Sequence, residues 1–325
     1  MSREPPLLRS ARKVTMPAIP RSLQSDETRQ LDQLTELAPG VELRQSKVFD
    51  IVERVGEGGM GKVFRAFDPV MDRYVALKVL KLDIPETERR RFRREAVIAA
   101  NFSHPNLPRV LDRGTDRQRG LEWMTMEYLR GCDLGAIIDR RRKIAFPLLV
   151  DIFCQTLDAL EYIHTRKIAH CDIKPDNIFV TRDSYDRRIV IVKLIDFGVC
   201  RSIAPPYDLQ LQLVGDPRYM APEQTVLNGP IDETVDLYAL GLTFYEALLG
   251  EHPYPGADDL DAPELLRLQV EQMPAPPSTR VPNLPGRLAE ALDDVVATAC
   301  AKDPGDRYPD ARTMKAALAG LREAI

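Results

Sequence analysis

His170-Cys171-Asp172-Ile173-Lys174-Pro175-Asp176-Asn177, followed by Asp196-Phe197-Gly198, is the stretch on which the reading of this chain turns. Asp172 lies five residues before Asn177 and 24 before Asp196. A lone aspartate in a loop is usually a turn former. Three polar groups at these spacings, downstream of a glycine-rich turn and a strand lysine, are not accounted for by turns alone.

The glycine-rich turn is Gly56-Glu57-Gly58-Gly59-Met60-Gly61-Lys62-Val63, which contains GxGxxGxV. The pattern by itself is weak, because dinucleotide-binding folds share GxGxxG. There the glycines open a helix; here they join two strand-like runs, where a backbone without Cβ atoms can approach phosphate oxygens. A turn with no ligand is the plain alternative. Further on, Val75-Ala76-Leu77-Lys78 ends a half-buried strand with a lysine. Such a lysine commonly snorkels to solvent; fixing it needs an acidic partner. Glu95, the carboxylate amid Arg89, Arg90, Arg91, Arg93 and Arg94, is the candidate, with an intrahelical pair as its competitor.

Around these motifs the hydrophobic period changes once. Residues 48–55, 62–67 and 74–80 read as sequential antiparallel strands, 85–100 as a basic helix, and 107–112 and 121–127 as further strands. Beyond about residue 134 helical patterns dominate, at 148–164, 235–249, 264–272, 288–301 and 311–324. Strands first and helices later predict an α+β fold of two unequal lobes with a ligand cleft between them. Residues 1–22 are proline-rich and basic, which predicts flexibility. A short helix around Leu31, Leu34 and Leu37 is expected to end at Pro39-Gly40.

Composition narrows the function classes. The 325 residues carry 45 Lys and Arg against 49 Asp and Glu, a net charge of −4, which argues against a dedicated nucleic-acid binder. Five cysteines scattered over this length are no disulfide framework and suit a reducing, cytoplasmic setting. No signal peptide or bilayer-length apolar run is legible, so no membrane span is expected.

Taken together, the glycine turn, Lys78, the Asp172–Asn177 segment, Asp196-Phe197-Gly198 and Ala221-Pro222-Glu223 resemble the protein-kinase signature set, in the expected order. The resemblance runs from residue 48 to about 322 and is closest to the bacterial, eukaryotic-like Ser/Thr protein kinases. It implies a bilobal protein-kinase fold: a small antiparallel β-sheet N-lobe over 48–129 and a mainly helical C-lobe over 130–325. An activation segment over 196–223 and a flexible arm over 1–47 complete the division.

By position, the resemblance implies an ATP site formed by Val55, Gly56, Glu57, Gly58, Gly59, Met60, Gly61, Lys62 and Val63. Lys78, held by Glu95, would contact the α and β phosphates. Glu127 and Leu129 would offer backbone groups to adenine, with Met126 as gatekeeper and Asp133 reaching the ribose. Asp172 would accept the substrate proton, Lys174 would steady the γ phosphate, and Asn177 and Asp196 would hold Mg²⁺, whose preference is for oxygen. Glu223 would pair with Arg307. The implied activity is transfer of the γ-phosphoryl group of ATP to protein Ser/Thr hydroxyls. Lys174, two residues after Asp172, is the family's Ser/Thr mark.

Two positions depart from the family pattern. Cys171 replaces the usual arginine, and between residues 199 and 215 only Ser202 and Tyr207 carry phosphorylatable hydroxyls. This predicts a segment whose order is independent of threonine phosphorylation. Asp216 replaces a threonine; its carboxylate is expected either to compete for Lys174 or to pair with it as a surrogate acceptor. These departures support the alternative of a weak or silent pseudokinase serving as a nucleotide-binding scaffold. Cys171 and Cys200 flank the catalytic motifs, where buried inert thiols are a simpler reading than a redox switch. The arginines of 89–94 are expected to form a solvated face. Ser10, Thr15 and Ser22 make the arm a candidate autophosphorylation site, tether or pseudosubstrate, and autophosphorylation would involve self-association.

Overall fold

Alternation of side chains builds the first lobe. In Gly61–Asp68 (β3), Phe64, Ala66 and Asp68 are buried on alternate positions, the period of a strand with one face inward. The computed structural model describes residues 41–44, 47–57, 61–80, 84–116, 120–141, 144–183, 186–204, 215–227, 229–257, 259–281 and 284–323. Val41–Arg44 (β1), Lys47–Glu57 (β2), β3, Arg73–Leu80 (β4), Val110–Asp116 (β5) and Leu121–Glu127 (β6) form one antiparallel sheet, ordered β1-β2-β3-β4-β6-β5. β1 falls inside the span assigned to the arm, so the sheet begins earlier than the sequence pattern indicates. The expected helix around Leu31 lies outside the described residues.

One helix, Glu86–Ala100 (α1), lies against this sheet and buries Phe92, Glu95, Ala96 and Ala99, an i, i+3, i+4, i+7 stripe, with Ala99 joining the core of the second lobe. Phe92 and Ala96 close a small cluster with Leu80 and Met124. Arg93 forks onto Glu122 of β6 at 2.7 and 2.6 Å, and Arg89 reaches the same carboxylate at 3.5 Å. The basic stretch is therefore not simply a solvated face: two of its arginines fasten α1 to the sheet.

The second lobe holds Leu134–Arg141 (α2), Phe146–His164 (α3), Thr234–Leu249 (α4), Ala262–Glu271 (α5), Gly286–Ala299 (α6) and Ala311–Gly320 (α7). α4 is buried on nearly every side and stops at Gly250, whose φ of 79° a glycine accepts without strain. Short strands that the sequence pattern hides complete the lobe. Gly131–Asp133 (β7), Ile178–Arg182 (β9) and Val190–Leu194 (β10) form a three-stranded sheet. Ile168–Ala169 (β8) pairs with Arg201–Ser202 (β11), Ala169 opposite Arg201. No helix among the described residues is long and apolar enough to cross a membrane.

Candidate active site

Lys78, near the end of β4, is not at the surface. Lys78 Nζ donates to both oxygens of Glu95, at 2.7 and 2.9 Å, across the gap between sheet and α1. Asp196 Oδ1 lies 3.6 Å from the same nitrogen. Burial pulls the Lys78 ammonium down, but the Glu95 and Asp196 carboxylates outweigh it and hold the group above the ordinary lysine range. Helix-to-strand pairing, rather than the intrahelical pair, is what Glu95 adopts.

Below this pair, a buried carboxylate shapes the loop after β8. Asp236 of α4 accepts hydrogen bonds from the amides of His170 and Cys171 at 2.7 and 2.8 Å, and lies 2.8 Å from His164 Nε2. Burial pushes the Asp236 carboxyl up, and His164 with the loop amide more than reverses it. The loop turns at Cys171, where φ is 66°, and the Cys171 carbonyl accepts from Gln224 Nε2 at 3.3 Å. His170 packs edge-on against Phe197, with ring centroids 5.1 Å apart, and Phe197 against Phe102 at 5.2 Å.

Asp172 leaves this turn with both oxygens engaged. Oδ2 accepts from Asn177 Nδ2 at 2.9 Å and lies 3.2 Å from Lys174 Nζ; Oδ1 accepts from the Asp216 amide at 3.0 Å. Asn177 Nδ2 also donates to the Asp172 carbonyl at 2.7 Å. The amide nitrogen is thus committed, and the amide oxygen is the atom Asn177 has to offer a cation. Asp196, at φ 66°, accepts from the Gly198 amide at 3.2 Å, and its side chain is 50% exposed. An amide oxygen and a half-exposed carboxylate are hard donors that fit a magnesium ion.

In the glycine turn, Gly56 pairs with Val63 and Glu57 with Lys62, while Gly58, Gly59 and Met60 lie outside the described residues. A Cβ on Gly61 would meet the Val79 carbonyl oxygen at 2.5 Å, so this position requires glycine. Val55 is exposed on β2, Lys62 is buried and Val63 half-buried. Along the other wall, the Glu127 amide donates to the Arg109 carbonyl at 2.9 Å and is thereby committed. The Glu127 carboxylate takes Lys193 at 2.6 Å and the Arg109 amide at 2.9 Å. Met126 packs on the Leu80 cluster, and Leu129 follows β6 half-buried. Asp133 Oδ1 accepts from the Ala136 amide at 2.7 Å and so caps α2.

Of the two departures, Cys171 is the buried thiol expected, and Asp216 finds a partner that was not expected. Asp216 pairs with Lys174 only at long range, 4.0 Å, and takes Arg218 as its closer partner. Its carboxylate is forked by Arg218, with Nε 3.1 Å from Oδ1 and Nη2 2.8 Å from Oδ2, while Lys174 stands off at 4.0 Å. The signal for Arg218 in the sequence is its spacing two residues after Asp216. The thiols of Cys171 and Cys200 are buried and pushed well above the ordinary range by that burial. Farther out, Arg307 forks Glu223 at 2.7 and 2.8 Å.

The profile of the protein kinase domain family matches residues 49–318. The chain belongs to the protein kinase domain family. Over 267 residues it is 36% identical to the serine/threonine-protein kinase PknF of Mycobacterium tuberculosis, a match covering 80% of this chain and 53% of PknF. Over 273 residues it is 35% identical to the serine/threonine-protein kinase pkn3 of Myxococcus xanthus, covering 81% and 48%. The chain spans about half the length, or less, of the curated relatives it matches. Among solved structures, the PknI kinase domain of Mycobacterium tuberculosis superposes with a TM-score of 0.65 at 29% identity, covering 88% of this chain and 99% of that one. The likeness to bacterial Ser/Thr kinases and the two-lobed kinase fold are both as the sequence motifs predict.

Proposed function

We propose that this kinase domain transfers the γ-phosphoryl group of ATP to Ser/Thr hydroxyls of proteins in a Mg²⁺-dependent reaction. The observation that supports this reading most is the arrangement around Asp172. Its carboxylate is oriented by Asn177 and the Asp216 amide and partnered by Lys174, while Lys78 and Glu95 of the opposing lobe form a second charged group with Asp196.

Phosphoryl transfer passes through a loose transition state, so positioning and charge neutralisation carry most of the catalysis. In the proposed roles, Asp172 accepts the proton of the substrate hydroxyl as its oxygen bonds to the γ phosphorus. The bond from that phosphorus to the β–γ bridging oxygen breaks, and ADP leaves. Lys174 neutralises charge on the transferring group, and Lys78, kept cationic by Glu95, neutralises the α and β phosphates. The glycine turn from Val55 to Val63 covers the phosphates with backbone amides. The Glu127 carbonyl and Leu129 backbone take adenine, and Asp133 the ribose. Asn177 and Asp196 would hold magnesium, which supplies further positive charge to the phosphates when bound.

Labelled ATP with Mg²⁺ and a basic acceptor protein tests the reading. The parent chain labels the acceptor, and Asp172→Asn loses about 10²–10⁴-fold in rate while still binding ATP, the cost of a missing positioned base. A parent that binds ATP and transfers no label would overturn it and favour the scaffold alternative.

A further inference from the structure

We propose that Arg218 is a positioning residue of this site: it holds the Asp216 carboxylate away from Lys174, leaving Lys174 to Asp172 and the transferring phosphate. The inference rests on the kinase reading above and concerns a carboxylate placed two residues before an arginine.

The geometry is that of a fork. Asp216 Oδ1 accepts from the Arg218 amide and from Nε, both at 3.1 Å, and Oδ2 accepts from Nη2 at 2.8 Å. Bidentate arginine–carboxylate pairing fixes direction as well as charge. Lys174 Nζ sits 3.2 Å from Asp172 Oδ2 and 4.0 Å from Asp216 Oδ2, so it belongs to Asp172 only while Arg218 occupies the other carboxylate. Two carboxylates and two cations make the quartet neutral. Without Arg218, one ammonium would stand between two carboxylates, and adjacent like charges would draw it to a shared position.

Arg218 is itself held from the second lobe. Its carbonyl accepts from His252 Nε2 at 3.0 Å and from Gln269 Nε2, which also reaches the Pro217 carbonyl at 3.3 Å. Gln269 is fully buried, and its Oε1 accepts from the Tyr238 hydroxyl at 2.7 Å. The guanidinium is thus presented to Asp216 by a backbone that α4 and α5 hold in place. Burial raises the Asp216 carboxyl, and the Arg218 fork, with Lys174 farther off, more than offsets it and holds the group below the ordinary carboxylate range.

A double-variant cycle tests this with Arg218→Met, Asp216→Thr and the pair together. Arg218→Met lowers kcat about tenfold or more in the parent, and the same change costs less than about threefold in the Asp216→Thr background, the non-additivity of directly coupled groups. A second readout does not depend on activity. Acylation of Lys174 by an amine-selective ester, read by mass spectrometry against exposed Lys167, slows in Arg218→Met and recovers in the double variant. Equal losses in both backgrounds, or unchanged Lys174 labelling, would sink the proposal. A loss confined to the KM of the acceptor and not rescued by Asp216→Thr would instead make Arg218 a substrate contact and equally overturn it. Where melting shows Arg218→Met unfolded, Arg218→Lys, which keeps charge without the fork, carries the same comparison with an intermediate loss. A parent without transferase activity removes the kinase reading, and the Lys174 labelling alone then decides the arrangement.

Discussion

Cys171 shows how much one side chain matters where the backbone is constrained. Its φ of 66° is a conformation that L-residues adopt reluctantly, and it persists because its amide and carbonyl are tied to Asp236 and Gln224. The side chain fills space and its thiol donates to the Ala169 carbonyl at 3.7 Å; burial pushes that thiol well above its ordinary range. No guanidinium stands at this position to receive a phosphate. The hydroxyl of Ser202 is already used locally, donating to the Ala204 carbonyl at 3.0 Å. Phosphatase treatment, or Ser202→Ala, is accordingly expected to change transfer activity by less than about twofold, since no new charge-assisted contact at position 171 is lost. Comparing phosphatase-treated and untreated protein in the labelled-ATP assay checks this.

Elements act here by holding carbonyls and amides of other elements. α4 contributes little to the surface, yet its Asp236 fixes two successive amides of the loop that carries Asp172. Asp236→Ala orphans both at roughly 1–3 kcal/mol each, so a loss of about 2–6 kcal/mol in unfolding free energy is expected in urea titration. Asp236→Asn keeps one acceptor and should lose less. α1 works similarly: the Arg93–Glu122 fork and the Phe92–Ala96 stripe fix the face that carries Glu95, and with it Lys78. The short pairing of β8 with β11 joins the start of the loop to the segment after Gly198.

At the scale of the molecule, polar bridges link the parts. Lys193 of β10 reaches Glu127 at the end of β6, and Asn106 Nδ2 donates to the Val192 carbonyl at 2.9 Å. In the second lobe, Lys302 donates to the Tyr238 and Tyr254 hydroxyls at 2.6 and 3.1 Å. Burial, with Arg307 nearby, pulls Lys302 down to about 8. The unfolded chain keeps this lysine protonated to its ordinary value of about 10.5, so between these values the unfolded state binds more protons. Stability attributable to Lys302 therefore rises as pH climbs from about 8 towards 10.5. Urea titrations at pH 7.5 and 10 should show the parent gaining on Lys302→Met across that interval, and a constant difference would refute the linkage.

The sequence by itself determined the order of lobes, most long elements within a few residues, and the chemistry expected at Lys78, Glu95, Asp172, Asn177 and Asp196. These were legible because strand alternation, helical stripes and motif spacing are short-range properties of the chain. The two-residue strands β8 and β11 have no period to detect, and Leu107, which reads as strand, lies before β5 because the chain first turns through residues 104–107. Tertiary structure alone decided the partners. Glu95 had arginines on its own helix and took Lys78; Arg93 crossed to Glu122; Asp216 took Arg218 and left Lys174 with Asp172. Charge pairing depends on distance and burial in three dimensions, and a carboxylate with several cations in reach is assigned by whichever backbone is held nearest to it.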